Sequence, residues 1–132
     1  RGLREVNAAK PVLVKIAPDL DEGQLAEIAD VANSEGLAGL IATNTTLDQS
    51  AVPPESRQQG GLSGAPLSRR STEVLKTLRR HTNLPIIASG GVMTGADARE
   101  KIDAGASLVQ LYTGFVYSGP ALIRKITAAL AA

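Results

Sequence analysis

The segment LPIIASGGVMTGADAREKIDAGASLVQLYTG, residues 84–114, contains two short apolar runs that each end in small residues. The first run, residues 85–89, includes two β-branched isoleucines and stops at Gly90-Gly91. The second run, residues 106–112, is closed by Thr113-Gly114. Apolar runs of this length that end in turn residues are typical of buried β-strands, so the segment predicts two of them.

A helix is predicted between the two runs. Thr94 and Asp97 have the T-x-x-D spacing of a capping box, and Gly105 lies where such a helix would end. Ala98 and Ile102 share one apolar face of it. The segment therefore predicts a strand, a glycine turn, a helix and a second strand, in that order.

The glycines at the strand ends indicate a phosphate site. Gly90-Gly91 has no Cβ atoms, so backbone N–H groups there can approach a ligand closely. Two consecutive strand–glycine–helix units are how the last two units of a (β/α)8 barrel bind phosphate, and we expect Gly90-Gly91 and residues 112–114 to do so at two helix starts. The alternative interpretation is a pair of tight turns in any α/β protein.

A lysine lies within another predicted strand. Residues 11–19, PVLVKIAPD, alternate between two faces and are stopped by Pro18, which predicts a strand that contains Lys15. Apolar neighbours on both faces favour burial of Lys15, and a buried ammonium needs an anion or a polar cavity beside it because desolvation is costly. The alternative is a lysine on an edge strand.

A polar cluster follows the next predicted strand. The apolar spacing of residues 21–36 predicts a helix, and Leu40-Ile41 makes a short buried strand with Thr43-Asn44-Thr45-Thr46 at its carboxyl end. Ligands bind at that end of α/β sheets, and amide and hydroxyl groups suit the edge of a polar planar ligand. The alternative is that Asn44 or Thr45 caps a turn.

The long connection across residues 47–67 has no helical or strand periodicity. Loops of that length are usually functional lids or disordered. Residues 60–64, GGLSG, offer backbone access and the Ser63 hydroxyl, although a plain flexible loop is the competing interpretation. Helices are predicted at residues 68–81 and after Gly119-Pro120. The buried face of the second helix is expected to carry Leu122, Ile123, Ile126 and Leu130.

Strands that begin near residues 12, 38, 85 and 107, each followed by a helix, make four βα units. The sequence therefore predicts an α/β fold with parallel strands. A (β/α)8 barrel needs about 250 residues. The 132 residues of this chain match half of one, and we expect residues 1–132 to be the C-terminal half of such a TIM barrel. The chain begins without Met, in what we interpret as the tail of a helix, which indicates part of a longer protein.

The composition excludes several classes of function. Hydrophobic residues make up 43% and charged residues 20% of the chain, which is ordinary for a globular domain. A net charge of +1 and an aromatic content of 2% argue against nucleic acid as a partner. Without Cys, and with a single His, His81, at a predicted helix end, the sequence offers no typical ligand set for a metal. No apolar run of the sequence is long enough to span a membrane.

Five motifs follow one another along nearly the whole chain. They are VKIAPDL at 14–20, IATNTTLDQS at 41–50, GGLSGAPL at 60–67 with Ser71-Thr72 after it, LPIIASGGV at 84–92 and AGASLVQLYTGF at 104–115. In this order they resemble the dihydroorotate dehydrogenases, specifically the quinone-linked, membrane-associated class 2 family. The resemblance implies an FMN-dependent oxidoreductase that oxidises dihydroorotate to orotate in pyrimidine (UMP) biosynthesis and passes the electrons to a quinone.

The resemblance also implies roles for individual residues. Lys15 and Thr43 would contact the flavin, and Asn44 and Thr45 would bind the substrate. The flavin and its phosphate would further be held by Ser63, Gly64, Gly90, Gly91, Tyr112 and Thr113.

Other parts of the activity are implied to lie outside this chain. In the family, the serine base, the first substrate asparagines and the N-terminal flavin loops come before the position of Arg1. No catalytic residue is therefore expected within residues 1–132, and the chain alone is not expected to turn over dihydroorotate. A small helical domain in the preceding region would contact the quinone and the membrane, which implies a peripheral enzyme on the cytoplasmic side of the inner membrane in a bacterium.

Two other functions fit the same pattern. A noncatalytic half-barrel would act as a binding or assembly module that is stable only when paired with another half. Another FMN-dependent TIM-barrel oxidoreductase would use the same phosphate turns, although the TNTT and GGLSG segments argue against it. Flavin absorbance that co-purifies with the protein would separate an oxidoreductase from a noncatalytic module.

Overall fold

The structure, a computed structural model, describes residues 10–131, and the predicted helix tail at the start of the chain lies outside them. The strands are β1 (Leu13–Ile16), β2 (Gly39–Ala42), β3 (Ile86–Ser89) and β4 (Leu108–Gln110). The helices are α1 (Glu22–Ser34), α2 (Ser68–His81), α3 (Gly95–Asp103), α4 (Thr113–Ser118) and α5 (Ala121–Ala131). The predicted alternation of strands and helices is confirmed.

The four strands form one parallel sheet in the order β1-β2-β3-β4. Leu40 of β2 pairs with Val14 of β1 and with Ile86 of β3, and Ile87 of β3 pairs with Leu108 of β4. Strands that are neighbours in the sequence are thus neighbours in the sheet, as in a (β/α)8 barrel. The predicted α/β fold with four parallel βα units is confirmed.

Capping boxes fix where two of the helices begin. The Gln24 N–H donates to the Asp21 carboxylate at 2.9 Å, and the Asp21 N–H donates to the Gln24 side chain at 3.0 Å. At the start of α3, the Asp97 N–H donates to the Thr94 hydroxyl at 3.2 Å, and the Thr94 N–H donates to the Asp97 carboxylate at 2.8 Å. The second box is the one that the T-x-x-D spacing predicted.

The main core lies between the sheet and helices α1 and α2. Leu40 of β2 and Ile86 of β3 are fully buried, as are Val74, Leu75 and Leu78 of α2. The periodicity of residues 68–81 predicts this inner face of α2. Burial of one such side chain stabilises the fold by about 1.5–3 kcal/mol, so these five residues dominate the packing of the sheet on the helices.

A second, smaller core joins α3 to α5. Its buried members are Val92, Ala98, Leu122 and Ile126. The predicted buried face of α5 is confirmed for Leu122 and Ile126, and Leu130 packs against the same cluster. Ile123 is instead 46% exposed, because α5 packs mainly on α3 through the stripe from Leu122 to Ile126.

The two outer strands are more exposed than the sequence predicts. Val14 of β1 is 38% exposed and Leu108 of β4 is 62% exposed, and Lys15 is exposed as well. The expectations that Lys15 is buried and that residues 106–112 form one buried strand are therefore wrong, and β4 is only 3 residues long. Within the described residues each of these strands is paired on one side only, which leaves its other side uncovered.

The connection after Thr46 is held by hydrogen bonds between its own residues. Thr46 and Leu62 exchange two backbone hydrogen bonds, at 3.1 and 2.7 Å, which bring the ends of the connection together. Inside it, the Gln49 side-chain amide donates to the Gln58 carbonyl at 2.6 Å. The connection also contains two 3-10 turns, Pro54–Ser56 and Ala65–Leu67.

Helix α2 ends in basic residues. Its last turn carries Arg79, Arg80 and His81, where cations interact favourably with the helix dipole. His81 is exposed, as its predicted surface position requires. None of the helices in the described part of the chain is long and apolar enough to cross a membrane.

Candidate functional site

A cleft of about 240 Å³ opens at the carboxyl ends of the four strands. The parallel sheet creates it, because the carboxyl ends of parallel strands meet at one edge. The structure brings every residue that the sequence singled out for binding into its lining: Lys15, Thr43, Asn44, Thr45, Ser63, Gly64, Gly90, Gly91, Tyr112 and Thr113. Their individual binding roles stay predictions.

The turn after β3 accepts only glycine at position 91. Gly90 and Gly91 have φ angles of 109° and 72°, a region that residues with a Cβ rarely enter. A Cβ at Gly91 would also lie 2.2 Å from the Cα of Ser68, so the turn packs directly on the start of α2. Gly90 and Gly91 both line the cleft, and neither has a side chain that would cover the backbone there.

The structure corrects the prediction that both glycine turns lie at helix starts. Helix α3 begins at Gly95, and the Met93 and Thr94 N–H groups before it donate to the Asp97 carboxylate at 3.0 and 2.8 Å. The capping box thus uses the amides of Met93, Thr94 and Asp97 internally. Gly90-Gly91 lies in the connection between β3 and α3, before the helix begins, so it forms a turn and not a helix terminus.

The turn after β4, in contrast, does begin a helix. Helix α4 starts at Thr113, and its N-cap residue, Tyr112, makes no side-chain hydrogen bond to the first turn. The Thr113 hydroxyl donates to Ser63 Oγ at 3.0 Å. A Cβ at Gly64 would lie 3.1 Å from Thr113 Cγ2. The start of α4 and the glycine-rich end of the long connection therefore form one side of the cleft together.

The polar residues after β2 are anchored through their backbone. The Thr43 N–H donates to the Ser89 carbonyl at 2.6 Å, and the Asn44 N–H donates to the Ile16 carbonyl at 2.7 Å. Thr43 is buried, and its hydroxyl donates to the Asn44 carbonyl at 2.8 Å. The Asn44 and Thr45 side chains are exposed at the cleft, and within residues 10–131 neither makes a hydrogen bond that would cap a turn. These two side chains are available to a ligand.

Asp19 connects two loops at the rim of the cleft, a contact that the sequence does not reveal. Its carboxylate accepts hydrogen bonds from the Thr46 hydroxyl and from the Leu47 N–H, the latter at 3.0 Å. Thr46 is 7% exposed, and its Oγ1 accepts from the Asp48 N–H at 3.0 Å. The loop after β1 is thereby fixed against the polar end of β2.

Lys15 lines the cleft without a protein anion beside it. It pairs with Ile41 in the ladder between β1 and β2, and its side chain is exposed. Within the described residues its ammonium has no carboxylate in salt-bridge distance. A cation in this position can interact with an anionic ligand or with negative charge that develops on one.

Lys101 is a functional candidate that the sequence reasoning missed. It is completely buried on α3, and its ammonium donates to the Ser68 carbonyl, Ser71 Oγ and Thr72 Oγ1 at 2.9, 2.7 and 2.5 Å. Desolvation by burial lowers the pKa of Lys101 to about 8. The signal in the sequence was its position on the same helix face as Ala98.

The described residues contain no group of three or more His, Cys, Asp or Glu side chains that could hold a metal ion. The cleft offers instead the backbone amides of two turns, the hydroxyls of Ser63 and Thr113, the side-chain amide of Asn44 and the ammonium of Lys15. These groups suit a ligand that carries a phosphate and a polar planar ring.

The family described as Dihydroorotate dehydrogenase matches residues 2–132 of this chain. Among curated proteins, a Dihydroorotate dehydrogenase (quinone) of Christiangramia forsetii is 53% identical over 120 residues, and one of Teredinibacter turnerae is 50% identical over 126 residues. The alignments cover 89% and 92% of this chain but 35% and 37% of the relatives. The chain therefore spans about a third of the length of the curated relatives that it matches.

Solved structures of dihydroorotate dehydrogenases also match most of this chain. The crystal structure of DHODH in complex with ferulenol from Eimeria tenella matches with a TM-score of 0.85 and 45% sequence identity, over 91% of this chain and 33% of that one. The ligand-free DHODH of the same organism matches with a TM-score of 0.79 and 46% identity, over 89% and 34%. The arrangement of strands and helices described above is thus shared with these proteins over most of this chain.

Proposed function

This chain belongs to the dihydroorotate dehydrogenase family, and on that premise we propose the activity to which it contributes. The longer protein would oxidise dihydroorotate to orotate, with FMN as cofactor and a quinone as electron acceptor, in pyrimidine (UMP) biosynthesis. Residues 1–132 would form the C-terminal half of its FMN-binding barrel domain. They would carry the flavin phosphate site and part of the substrate site.

One observation carries the proposal: residues from all five family motifs line a single cleft. The motifs are dispersed over the chain from residue 14 to residue 115, and only the parallel sheet makes them neighbours. We would not expect an unrelated α/β domain to place this combination of glycines, hydroxyls and a lysine at one edge of its sheet.

The described residues fit the phosphate group of FMN. Gly90 and Gly91 line the cleft and carry no side chains, so their backbone amides can approach a phosphate closely. Helix α4 begins at Thr113, and such a terminus stabilises an anion by about 0.3–1 kcal/mol, or up to about 2 kcal/mol when partly buried. The Ser63 and Thr113 hydroxyls, 3.0 Å apart, can both turn to donate to phosphate oxygens.

The other polar groups of the cleft fit the flavin ring and the substrate. Bound FMN would supply an acceptor for the two electrons of the substrate. Lys15 would stabilise the negative charge that reduction adds to the ring, and Thr43 would contact the ring from its buried position. Asn44 and Thr45 would donate to and accept from the polar edge of the pyrimidine, which fixes its orientation.

We assign no catalytic base within this chain. Ser63 Oγ accepts a hydrogen bond from the Thr113 hydroxyl, and the Asp19 carboxylate accepts one from the Thr46 hydroxyl. The Asp48 carboxylate accepts a hydrogen bond from the Ser50 N–H, which is the main cause that lowers the pKa of Asp48 and makes it a weak base. The base, the quinone site and the membrane contact on the cytoplasmic side of a bacterial inner membrane would be supplied by other parts of the longer protein.

Reduction of a soluble quinone by dihydroorotate in the full-length protein tests the proposal. We expect FMN to co-purify in equimolar amount, and we expect turnover that is lost when the flavin is removed and regained when FMN is added. Dihydrouracil, which lacks the carboxylate of dihydroorotate, serves as the control substrate. A folded protein that neither retains nor rebinds FMN would favour the noncatalytic module, and FMN binding with turnover of another substrate would favour a different flavin oxidoreductase.

A further inference from the structure

Lys101 is a completely buried cation with no counterion beside it. Its side chain is 0% exposed, although lysine is rarely buried in proteins. Within residues 10–131 no carboxylate lies within 4.0 Å of its ammonium. Burial of an unpaired charge costs free energy, and a methionine of similar length would fill the same space without that cost. A lysine here needs a reason other than packing.

The ammonium has a full set of uncharged partners in the first turn of α2. Its three N–H groups donate to the Ser68 carbonyl at 2.9 Å, to Ser71 Oγ at 2.7 Å and to Thr72 Oγ1 at 2.5 Å. Ser71 and Thr72 are the dipeptide that follows the GGLSGAPL motif in the sequence. All three partners are neutral, so they satisfy the donors of the ammonium without forming an ion pair with it.

The same turn of α2 supports the glycine turn after β3. Ser71 Oγ lies 2.8 Å from the Gly90 carbonyl and 2.9 Å from the Ser68 carbonyl, and it has only one proton to donate. Lys101 already donates to the Ser68 carbonyl, which favours donation from Ser71 to Gly90. Gly91 packs on Ser68 directly, at a distance that excludes a Cβ. Lys101 is thus connected to both residues of the turn through one intermediate residue each.

We propose that Lys101 is a positioning residue of the phosphate site, which fixes the Gly90-Gly91 turn through Ser68 and Ser71 and places a buried positive charge behind it. The inference rests on the proposed function, since the phosphate would be that of FMN. Lys101 does not border the cleft, so it acts through the turn and not by contact with the ligand. Its lowered pKa, about 8, still leaves it mostly charged at neutral pH.

Comparison of FMN with riboflavin isolates this role, because riboflavin has the same ring system and lacks the phosphate. The full-length protein is stripped of flavin, and each flavin is titrated into it by fluorescence quenching. In Lys101→Met we expect the affinity for FMN to fall by about 10- to 100-fold, because a charge-assisted network behind the phosphate is lost. The affinity for riboflavin should change by less than about threefold.

Two further variants complete the test. Ser71→Ala keeps the charge of Lys101 but removes the hydrogen bond to Gly90. It should also lower the affinity for FMN more than the affinity for riboflavin. This variant tests the inference if Lys101→Met does not fold. Lys125→Met, an exposed lysine on α5, is the matched control and should bind both flavins normally. Equal losses for FMN and riboflavin in both test variants would show a purely structural role and overturn the inference. Native protein that binds FMN no better than riboflavin would instead refute the phosphate site itself.

Discussion

Gly91 lies directly on the backbone of Ser68: a Cβ added at Gly91 would be 2.2 Å from the Ser68 Cα. The phosphate turn of the proposed site therefore rests on the first residue of α2 and not on a side chain that could move away. Any substituent at position 91 must displace the turn or the helix. This makes Gly91 the position where the smallest possible change, one methyl group, tests the site most directly.

Gly91→Ala in the full-length protein should lower the affinity for FMN by at least about tenfold. The added methyl group would clash with the backbone of Ser68 and displace the amides of the turn, and the φ of 72° is strained for alanine. The measurement is flavin content per folded protein after purification, followed by titration with FMN.

Gly23→Ala is the matched control for this change. Gly23 is in the first turn of α1 with an ordinary φ, and its new Cβ would meet only the Asp21 side chain, at 3.3 Å. It should retain flavin fully. Full flavin retention in a folded Gly91→Ala protein would argue that the turn does not bind phosphate.

Lys15→Met should slow the reduction of the flavin by dihydroorotate by about 10²- to 10³-fold, because a positioned positive charge near the ring is lost. The stability of the flavin-free protein should change by less than about 0.5 kcal/mol, since Lys15 is exposed and makes no ion pair within the described residues. Stopped-flow absorbance of the flavin measures the rate. Lys76→Met, at an exposed position of α2, is the control, and a normal rate in Lys15→Met would exclude the electrostatic role.

Asn44→Ala should weaken orotate binding by about 10- to 100-fold while the flavin content stays unchanged. The backbone of Asn44 is fixed by its hydrogen bond to Ile16, so the substitution removes side-chain contacts without releasing the chain. Orotate is titrated against the change in the flavin spectrum. Asn83→Ala, an exposed asparagine in the loop before β3, should bind orotate normally, and the same affinity in both variants would contradict the substrate role of Asn44.

Local patterns in the sequence were enough for much of the fold. The spacing of Thr94 and Asp97 predicted the capping box that starts α3, and the apolar period of residues 68–81 predicted the buried face of α2. Both are short-range properties, set by neighbours within one or two helical turns. The collection of site residues in one cleft followed from a single general rule about the ends of parallel strands.

Local patterns could not predict contacts between residues that are far apart in the sequence. The apolar sequence of β4 indicated a buried strand, but burial depends on what covers Leu108, which is 62% exposed. Lys101 fell on an apolar helix face, but its burial depends on acceptors 29 to 33 positions away in the sequence. The bond of Asp19 to Thr46 likewise joins positions 27 apart. In each case the burial or hydrogen bonding of a residue depends on a distant part of the chain that only the fold brings close to it.

The lowered pKa of Lys101 predicts how the stability of the protein depends on pH. Desolvation by burial is the main cause that lowers its pKa from 10.5 to about 8, while Glu100 and Asp97 raise it and Lys76 lowers it. Between these two values the unfolded chain binds this proton and the folded chain does not. The unfolded state then carries more protons, so stability must rise with pH across this window.

The free energy of unfolding of the native protein, minus that of Lys101→Met, should therefore rise as the pH increases from about 8 to 10.5. The full rise is about 3 kcal/mol, and it is an upper bound because the three hydrogen bonds to the ammonium favour its charged form. Below pH 8 the difference should be constant, since both states are then protonated. Urea unfolding of the two full-length proteins at a series of pH values measures it, and the subtraction removes the titration of all other groups. A difference that stays flat across this window would contradict the lowered pKa of Lys101 in the folded protein.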